Sequence, residues 1–175
     1  HELVTSVRRI RDVADAIAPT LAAVFGGELA PDPAAMRRAY YRHTIIEVEF
    51  VPGSPTALNG PDAVEQWPWD APIHVLTAWN PQGAMIGDEE AERINIRIAE
   101  DILTRGGRFA FGAGRSPDGT HREPSLVAWG LTRDDALDMG RKASQDAIFE
   151  LTSDEIRFID CLDGSVTAWS RREAE

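Results

Sequence analysis

His121 and Glu123 place an imidazole and a carboxylate two positions apart, and both groups can exchange protons near neutral pH when their surroundings allow it. Either residue could act as a general acid or base on a bound substrate. The structural interpretation is that His121 is a solvated loop residue and Glu123 a solvated strand start. For an enzyme, we predict Glu123 and His121 as the catalytic residues.

Other polar side chains have the chemistry to hold a substrate. The amides of Asn80 and Gln145 can orient it through hydrogen bonds, and the guanidinium groups of Arg115 and Arg141 can bind a carboxylate or phosphate. The structural alternatives are a turn cap for Asn80, a surface ion pair for Arg141 and a helix-end contact for Gln145.

The elements over residues 73–151 decide whether these side chains can meet. The apolar run 73–79 predicts a strand that stops at Asn80-Pro81, because proline cannot continue a sheet ladder. Periodicity, caps and turn residues then predict a helix over 88–105, strands over 108–113 and 125–129, a helix from 132 to about 143, and a strand over 147–151.

This β-α-β-β-α-β order is the split pattern of ferredoxin-like folds. With right-handed crossovers, the third strand lies between the first two and runs antiparallel to both. The end of the first strand then meets the start of the third, and the last turn of the second helix returns to the same rim. The residues predicted to converge there are Asn80, Arg115, His121, Glu123, Ser125, Arg141 and Gln145.

Segments outside this core have weaker patterns. Residues 44–50 alternate in polarity and predict a half-buried strand, and residues 156–161 and 166–169 predict a hairpin through Asp163-Gly164. Residues 52–72 predict a loop whose Trp67 and Trp69 either cover the core or line a groove.

Apolar residues recur at helical spacing from Leu3 to Val24, and Pro19 interrupts this pattern. This segment either packs on the domain or dimerises. We predict an N-terminal helical segment over 1–38 packed on the core and a single α+β domain over 39–175. The predicted fold is α+β, with a ferredoxin-like β-α-β-β-α-β core, an extra C-terminal hairpin and the N-terminal helical segment.

Composition narrows the partners and the location. Acidic residues outnumber basic ones 29 to 18, and the formal charge of −11 opposes binding to nucleic acid or anionic lipid. No apolar run approaches the ~20 residues that span a bilayer. The single cysteine, Cys161, excludes an intrachain disulfide and fits a reducing cytoplasm. We therefore expect a cytoplasmic protein with no nucleic-acid or membrane partner.

The sequence segments that resemble cofactor-binding or metal-binding motifs are incomplete or lie in the wrong structural context. His121-Arg122-Glu123 matches the H-x-E of zinc deaminases, but the Pro-Cys-x-x-Cys that these enzymes require is absent. The segment 112–114, Gly-Ala-Gly, ends a strand instead of opening a helix, so it is a weak phosphate loop. His74, in a mainly apolar strand, is predicted to be buried or to lie at an edge. The sequence predicts no metal and no cofactor.

Four motifs in order resemble a bacterial family catalogued only as a domain of unknown function. They are T-A-x-N-P at 77–81, an asparagine-bearing helix at 93–95, P-x-G-x-x-x-E-x-S at 117–125 and G-x-x-x-x-Q-x-A-I at 140–148. The resemblance covers about residues 39–160 and departs from the family pattern at Glu92 and Asp146. It adds weight, position by position, to Thr77, Asn80, Asn95, Glu123, Ser125 and Gln145 as functional residues, and it supplies no reaction.

Two functions follow from these patterns. The first is binding of a small polar or anionic ligand at one end of the sheet, which is compatible with a hydrolase or a transferase. The alternative is a non-catalytic protein interaction or regulatory module that uses the N-terminal helix, with a basic partner or with a second copy in a homodimer. Whether the protein is an enzyme stays open at this point.

Overall fold

A computed structural model describes residues 41–78 and 86–172 of the 175-residue chain. These residues belong to one compact unit, Tyr41–Glu175. The predicted N-terminal helical segment, with its packing and dimerisation alternatives, lies outside the described residues. Asn80 lies outside them as well.

The described residues form eight strands and two long helices. In chain order they are β1 (Ile45–Val51), β2 (Ser54–Ala57), β3 (Ile73–Thr77), α1 (Asp88–Thr104), β4 (Arg108–Arg115), β5 (Arg122–Trp129), α2 (Arg133–Lys142), β6 (Ala147–Leu151), β7 (Glu155–Asp160) and β8 (Val166–Ser170). The strands make one sheet in the order β2-β1-β4-β5-β3-β6-β7-β8, and every neighbouring pair is antiparallel.

The predicted fold class is wrong. The chain does not form a four-stranded ferredoxin-like core with a separate hairpin, because β1 continues the sheet beyond β4, and β7 and β8 continue it beyond β6. The physical reason is that Ile46 and Val48 of β1, and Ile156 of β7, are fully buried, so these strands complete the core. The narrower expectation that β5 lies between β3 and β4, antiparallel to both, is confirmed.

The sheet separates two apolar clusters, because side chains alternate between its faces. On the helix face, α1 lies against β4 and β5 and α2 against β3 and β6, and the cluster includes Leu76, Leu126 and Ile148. On the other face, which we call the aromatic face, the cluster includes Val75 and Val127, and partly buried aromatic rings pack against it.

Local signals place both helices as predicted. The first turn of α1 is acidic, which suits the helix dipole, and Gly106 follows the helix with a φ of 80°. Thr132 caps α2 in a reciprocal capping box with Asp135. The predicted β7–β8 hairpin is also present.

The long connection from β2 to β3 covers the aromatic face. Trp67 and Trp69 pack against the core there, which confirms the core-cover alternative. Arg171, which is 2% exposed, fixes this connection by donating to the carbonyl oxygens of Leu58 at 2.6 Å and Ser153 at 2.8 Å.

Candidate functional site

Several connections meet at the end of the sheet where β3 finishes, which we call the Thr77 end. Strand β5 runs antiparallel to β3 with Thr77 opposite Ser125, so β5 begins at this end. Strand β4 finishes here because it is antiparallel to β5. Strand β6 is antiparallel to β3 and begins here, so the α2–β6 connection that carries Gln145 lies at the same end. The predicted relative directions of β3, β4 and β5 at this end are confirmed.

His121 and Glu123 are in contact at this end. The His121 Nε2 atom lies 2.8 Å from Glu123 Oε1, with side chains 46% and 23% exposed. A half-exposed imidazole held against a carboxylate can pass a proton to or from a bound molecule, and the carboxylate orients the ring.

The turn before His121 is braced by hydrogen bonds. The Asp118 carboxylate accepts from the Ser116 hydroxyl at 2.5 Å and from the Thr120 amide at 3.1 Å, and Ser116 Oγ accepts from the His121 amide at 3.0 Å. The hydrogen bond from Ser116, followed by those from Thr120, lowers the pKa of Asp118. Gly119 closes the turn with a φ of 71°. This turn therefore fixes the backbone that carries His121.

Thr77 and Ser125 hold the backbone around Glu123. The Thr77 hydroxyl donates to the carbonyl oxygen of Pro124 at 2.9 Å. The Ser125 hydroxyl is buried and donates to the carbonyl oxygen of Glu123 at 3.1 Å. Since Thr77, Glu123 and Ser125 share the alternation of Val75 and Val127, all three belong to the aromatic face.

Arg115 is not brought beside Glu123. It lies opposite Arg122 in the β4–β5 ladder, whereas Gly114 lies opposite Glu123, so the two side chains leave the sheet on opposite faces. Arg115 Nε donates to Glu47 Oε1 at 2.5 Å. Its guanidinium therefore already has a carboxylate partner.

The remaining predicted residues lie on the helix side. Asn95, in α1, has a buried side-chain oxygen with no hydrogen-bond partner among the described residues. Arg141 is exposed, and its Nε donates to the carbonyl oxygen of Cys161 at 2.6 Å. The backbone amide of Gln145 closes α2 by donating to Gly140 at 2.9 Å. Arg141 and Gln145 lie at the same end of the sheet as Glu123, whereas Asn95 lies near the middle of α1, and all three are on the helix side.

A second polar cluster lies at the opposite end of β3, and the sequence did not predict it. Glu150 is 2% exposed and accepts from Arg133, Arg157 and His74, which is 1% exposed. Burial raises the pKa of Glu150, but the hydrogen bonds from His74, Arg133 and Arg157 outweigh burial and hold that pKa well below its usual range. The only available signal was a glutamate between buried positions in a strand.

Two further observations concern thiol and metal chemistry in the described residues. Burial raises the pKa of the Cys161 thiol to about 11, so it is not a reactive nucleophile. No group of three or more potential ligands that could hold a metal ion occurs in the described part of the chain.

Comparison with known proteins yields a family match. A family model described as "Protein of unknown function (DUF3293)" matches residues 76–148, which is less than half of the chain. No curated protein and no solved structure matches the chain. All nine predicted site residues lie within the matched segment, whereas β1, β2, β7 and β8 lie outside it. Over residues 41–78 and 86–172, no helix has the length and apolarity needed to span a membrane.

Proposed function

We propose that this protein binds a small polar or anionic ligand at the Thr77 end of the sheet, with the His121–Glu123 pair as its principal contact. The observation that supports this proposal most strongly is the 2.8 Å contact between a half-exposed imidazole and a carboxylate. The proposal refers to the aromatic-face side of this end, where Thr77, Glu123 and Ser125 share a face.

The pair is better explained by binding than by stability. An exposed ion pair contributes only about 0–1 kcal/mol to folding. Yet His121 follows a turn braced by several internal hydrogen bonds, and Glu123 precedes a proline whose carbonyl oxygen accepts from Thr77. Fixing the backbone on both sides of the pair lowers the conformational entropy that ligand binding would otherwise cost.

The pair also supports acid–base chemistry. When Nε2–H of His121 donates to Glu123, the other ring nitrogen carries a lone pair that can accept a proton from a substrate hydroxyl or from water. A hydrolase or transferase is therefore the proposed enzyme class. In the same proposal Asn80 orients the ligand, and Arg141 attracts an anionic group to this end. Asn95 and Gln145, which lie on the helix side, have no direct contact with the ligand. Arg115 has no direct contact with the ligand, because its side chain lies on the opposite face and donates to Glu47.

The proposed location is the cytoplasm. The support is the single cysteine, Cys161, which is free and buried, as in proteins that fold under reducing conditions.

A thermal-shift screen of the full chain tests the proposal, with nucleotides, amino acids, phosphorylated sugars and short acyl carboxylates as probes. A ligand at a hundred times its dissociation constant stabilises the native state by about 2.7 kcal/mol. We expect at least one probe to raise the melting temperature of the wild type.

Two variants and a control localise the effect. Glu123→Gln and His121→Gln should keep the unliganded melting temperature and lose the shift. Glu155→Gln changes a carboxylate away from the site, 46% exposed and paired with Arg157, and should keep the shift. The proposal fails if no probe stabilises the wild type, or if both site variants respond as the wild type does.

A further inference from the structure

The two edges of the eight-stranded sheet differ in how they are protected against pairing with another strand. Strand β2 has four residues, one of them Pro55, and the β1–β2 register shifts between Glu49 and Val51. A short strand, a proline and a bulge are the features by which proteins block strand addition. The β2 edge is therefore protected.

Strand β8 has none of these features. It reads Val-Thr-Ala-Trp-Ser, without charge or proline, and pairs with β7 in an unbroken register over five residues. Four of its five residues are exposed, including Val166 at 44%. Among the described residues, no strand pairs with its outer side.

The hydrogen bonds of the hairpin show which groups β8 presents. The amide of Asp160 donates to Ser165 and the amide of Arg171 donates to Asp154. Because hydrogen-bonded pairs alternate along an antiparallel ladder, residues 165, 167, 169 and 171 direct their backbone groups to β7. The backbone groups of Val166, Ala168 and Ser170 therefore point outward.

We propose that β8 is a homodimer interface, in which two copies of this chain pair their β8 strands antiparallel about a two-fold axis at Ala168. This register sets Val166 opposite Ser170 of the other copy and Ala168 opposite itself, so all three outward residues form hydrogen-bonded pairs, with roughly six bonds in total. The small Ala168 allows close approach at the axis.

We assign a second copy of this chain as the partner because β8 is complementary to itself in this register. The same register sets Thr167 opposite Trp169 of the other copy on the aromatic face, and pairs of aromatic and β-branched residues stabilise sheets. No charged side chain of β8 opposes its own copy at the axis. The overall charge of −11 repels other copies at long range, so added salt should strengthen the dimer. A strand-sized interface is small, so the dimer should be reversible.

Sedimentation velocity of the full chain over a concentration series tests this interface. The wild type should shift from monomer to dimer with concentration, and the shift should come at lower concentration when salt is raised. Ala168→Lys and Ala168→Glu change an exposed residue and should each weaken self-association at least tenfold, because like charges then meet at the axis. Their equimolar mixture should associate again as a heterodimer. Ser54→Lys, at the protected edge, should behave as the wild type does.

Either of two results would overturn the proposal. One is a wild type that stays monomeric at every concentration. The other is self-association that Ala168→Lys and Ala168→Glu leave unchanged, since the contact would then lie elsewhere on the chain. Melting temperatures of both variants confirm that each remains folded.

Discussion

Replacing Glu150 with glutamine is expected to destabilise the fold strongly, although the change removes only a charge. The carboxylate accepts two hydrogen bonds from Arg133, at 2.7 and 3.0 Å, one from Arg157 at 2.6 Å and one from His74 at 3.2 Å. Glutamine keeps one acceptor oxygen and turns an NH₂ group toward these donors. The cluster then holds cationic groups without their counter-charge.

The expected loss of stability depends on how deeply each partner of Glu150 is buried. Removing one member of a buried ion pair costs about 3–5 kcal/mol. Arg133 and Arg157, with side chains 42% and 26% exposed, can recover some hydration, whereas His74, at 1%, cannot. We therefore expect a loss near the lower limit, about 3 kcal/mol. For a protein of this size that lowers the melting temperature by about 6–12 °C.

Urea denaturation of the full chain measures this loss, and Glu155→Gln is the matched control. Glu155 also pairs with Arg157, at 2.7 Å, but its side chain is 46% exposed, so its replacement should cost less than about 1 kcal/mol. Equal losses in the two variants would show that burial of Glu150 has no energetic consequence, contrary to this prediction.

The stability difference between wild type and Glu150→Gln should also change with pH in a direction that can be predicted. Because the folded pKa of Glu150 is depressed, its contribution to stability is present above the unfolded pKa of about 4.3 and declines as the pH falls toward the folded value. The difference between wild type and Glu150→Gln should be constant from pH 5 to 7 and should shrink below about pH 4. A difference that grows in acid would contradict this assignment.

Three other substitutions or probes test the fold. Gly112→Ala places a methyl group 2.2 Å from the Glu47 carbonyl oxygen and should cost about 3 kcal/mol in urea denaturation; a neutral result would show that β1 and β4 are not in close contact. Arg171→Lys should cost about 2–4 kcal/mol in the same assay, since lysine cannot donate to three separate carbonyl oxygens in the same geometry; an unchanged midpoint would contradict its role. Cys161 in the native protein should react with a thiol reagent at pH 7 at least about a hundredfold more slowly than in urea, and equal rates would show that it is not buried.

Local sequence signals were sufficient for the helices and for most strands. The acidic first turn of α1, the cap at Thr132 and the Asp163-Gly164 turn each depend on neighbours within a few residues. The prediction of the fold class was wrong where pairing is non-local. Alternation in 44–50 indicates a strand, but nothing in it specifies that Glu47 lies opposite Ala113. The short β2, with Pro55, has no apolar pattern to reveal it.

For the candidate site, too, some features could be predicted from the order of the elements, whereas others depend on strand pairing between distant segments. Chain direction predicted which segments reach the Thr77 end, because it follows from the order of the elements. The face of the sheet on which each side chain lies depends on the register of strand pairing. A change of one residue in that register moves a side chain to the other face. That is why Arg115 binds Glu47 instead of lying beside Glu123. The cluster at Glu150 was missed because its members come from β3, α2, β6 and β7 and are distant in sequence.

The most direct test of the proposed site is an NMR titration of the isotope-labelled full chain with a probe that stabilises it. We expect the largest chemical-shift changes at Thr77 and residues 121–125, and we expect these changes to saturate and to be lost in Glu123→Gln. Saturating changes that centre instead on His74 and Glu150, at the other end of β3, would contradict this expectation.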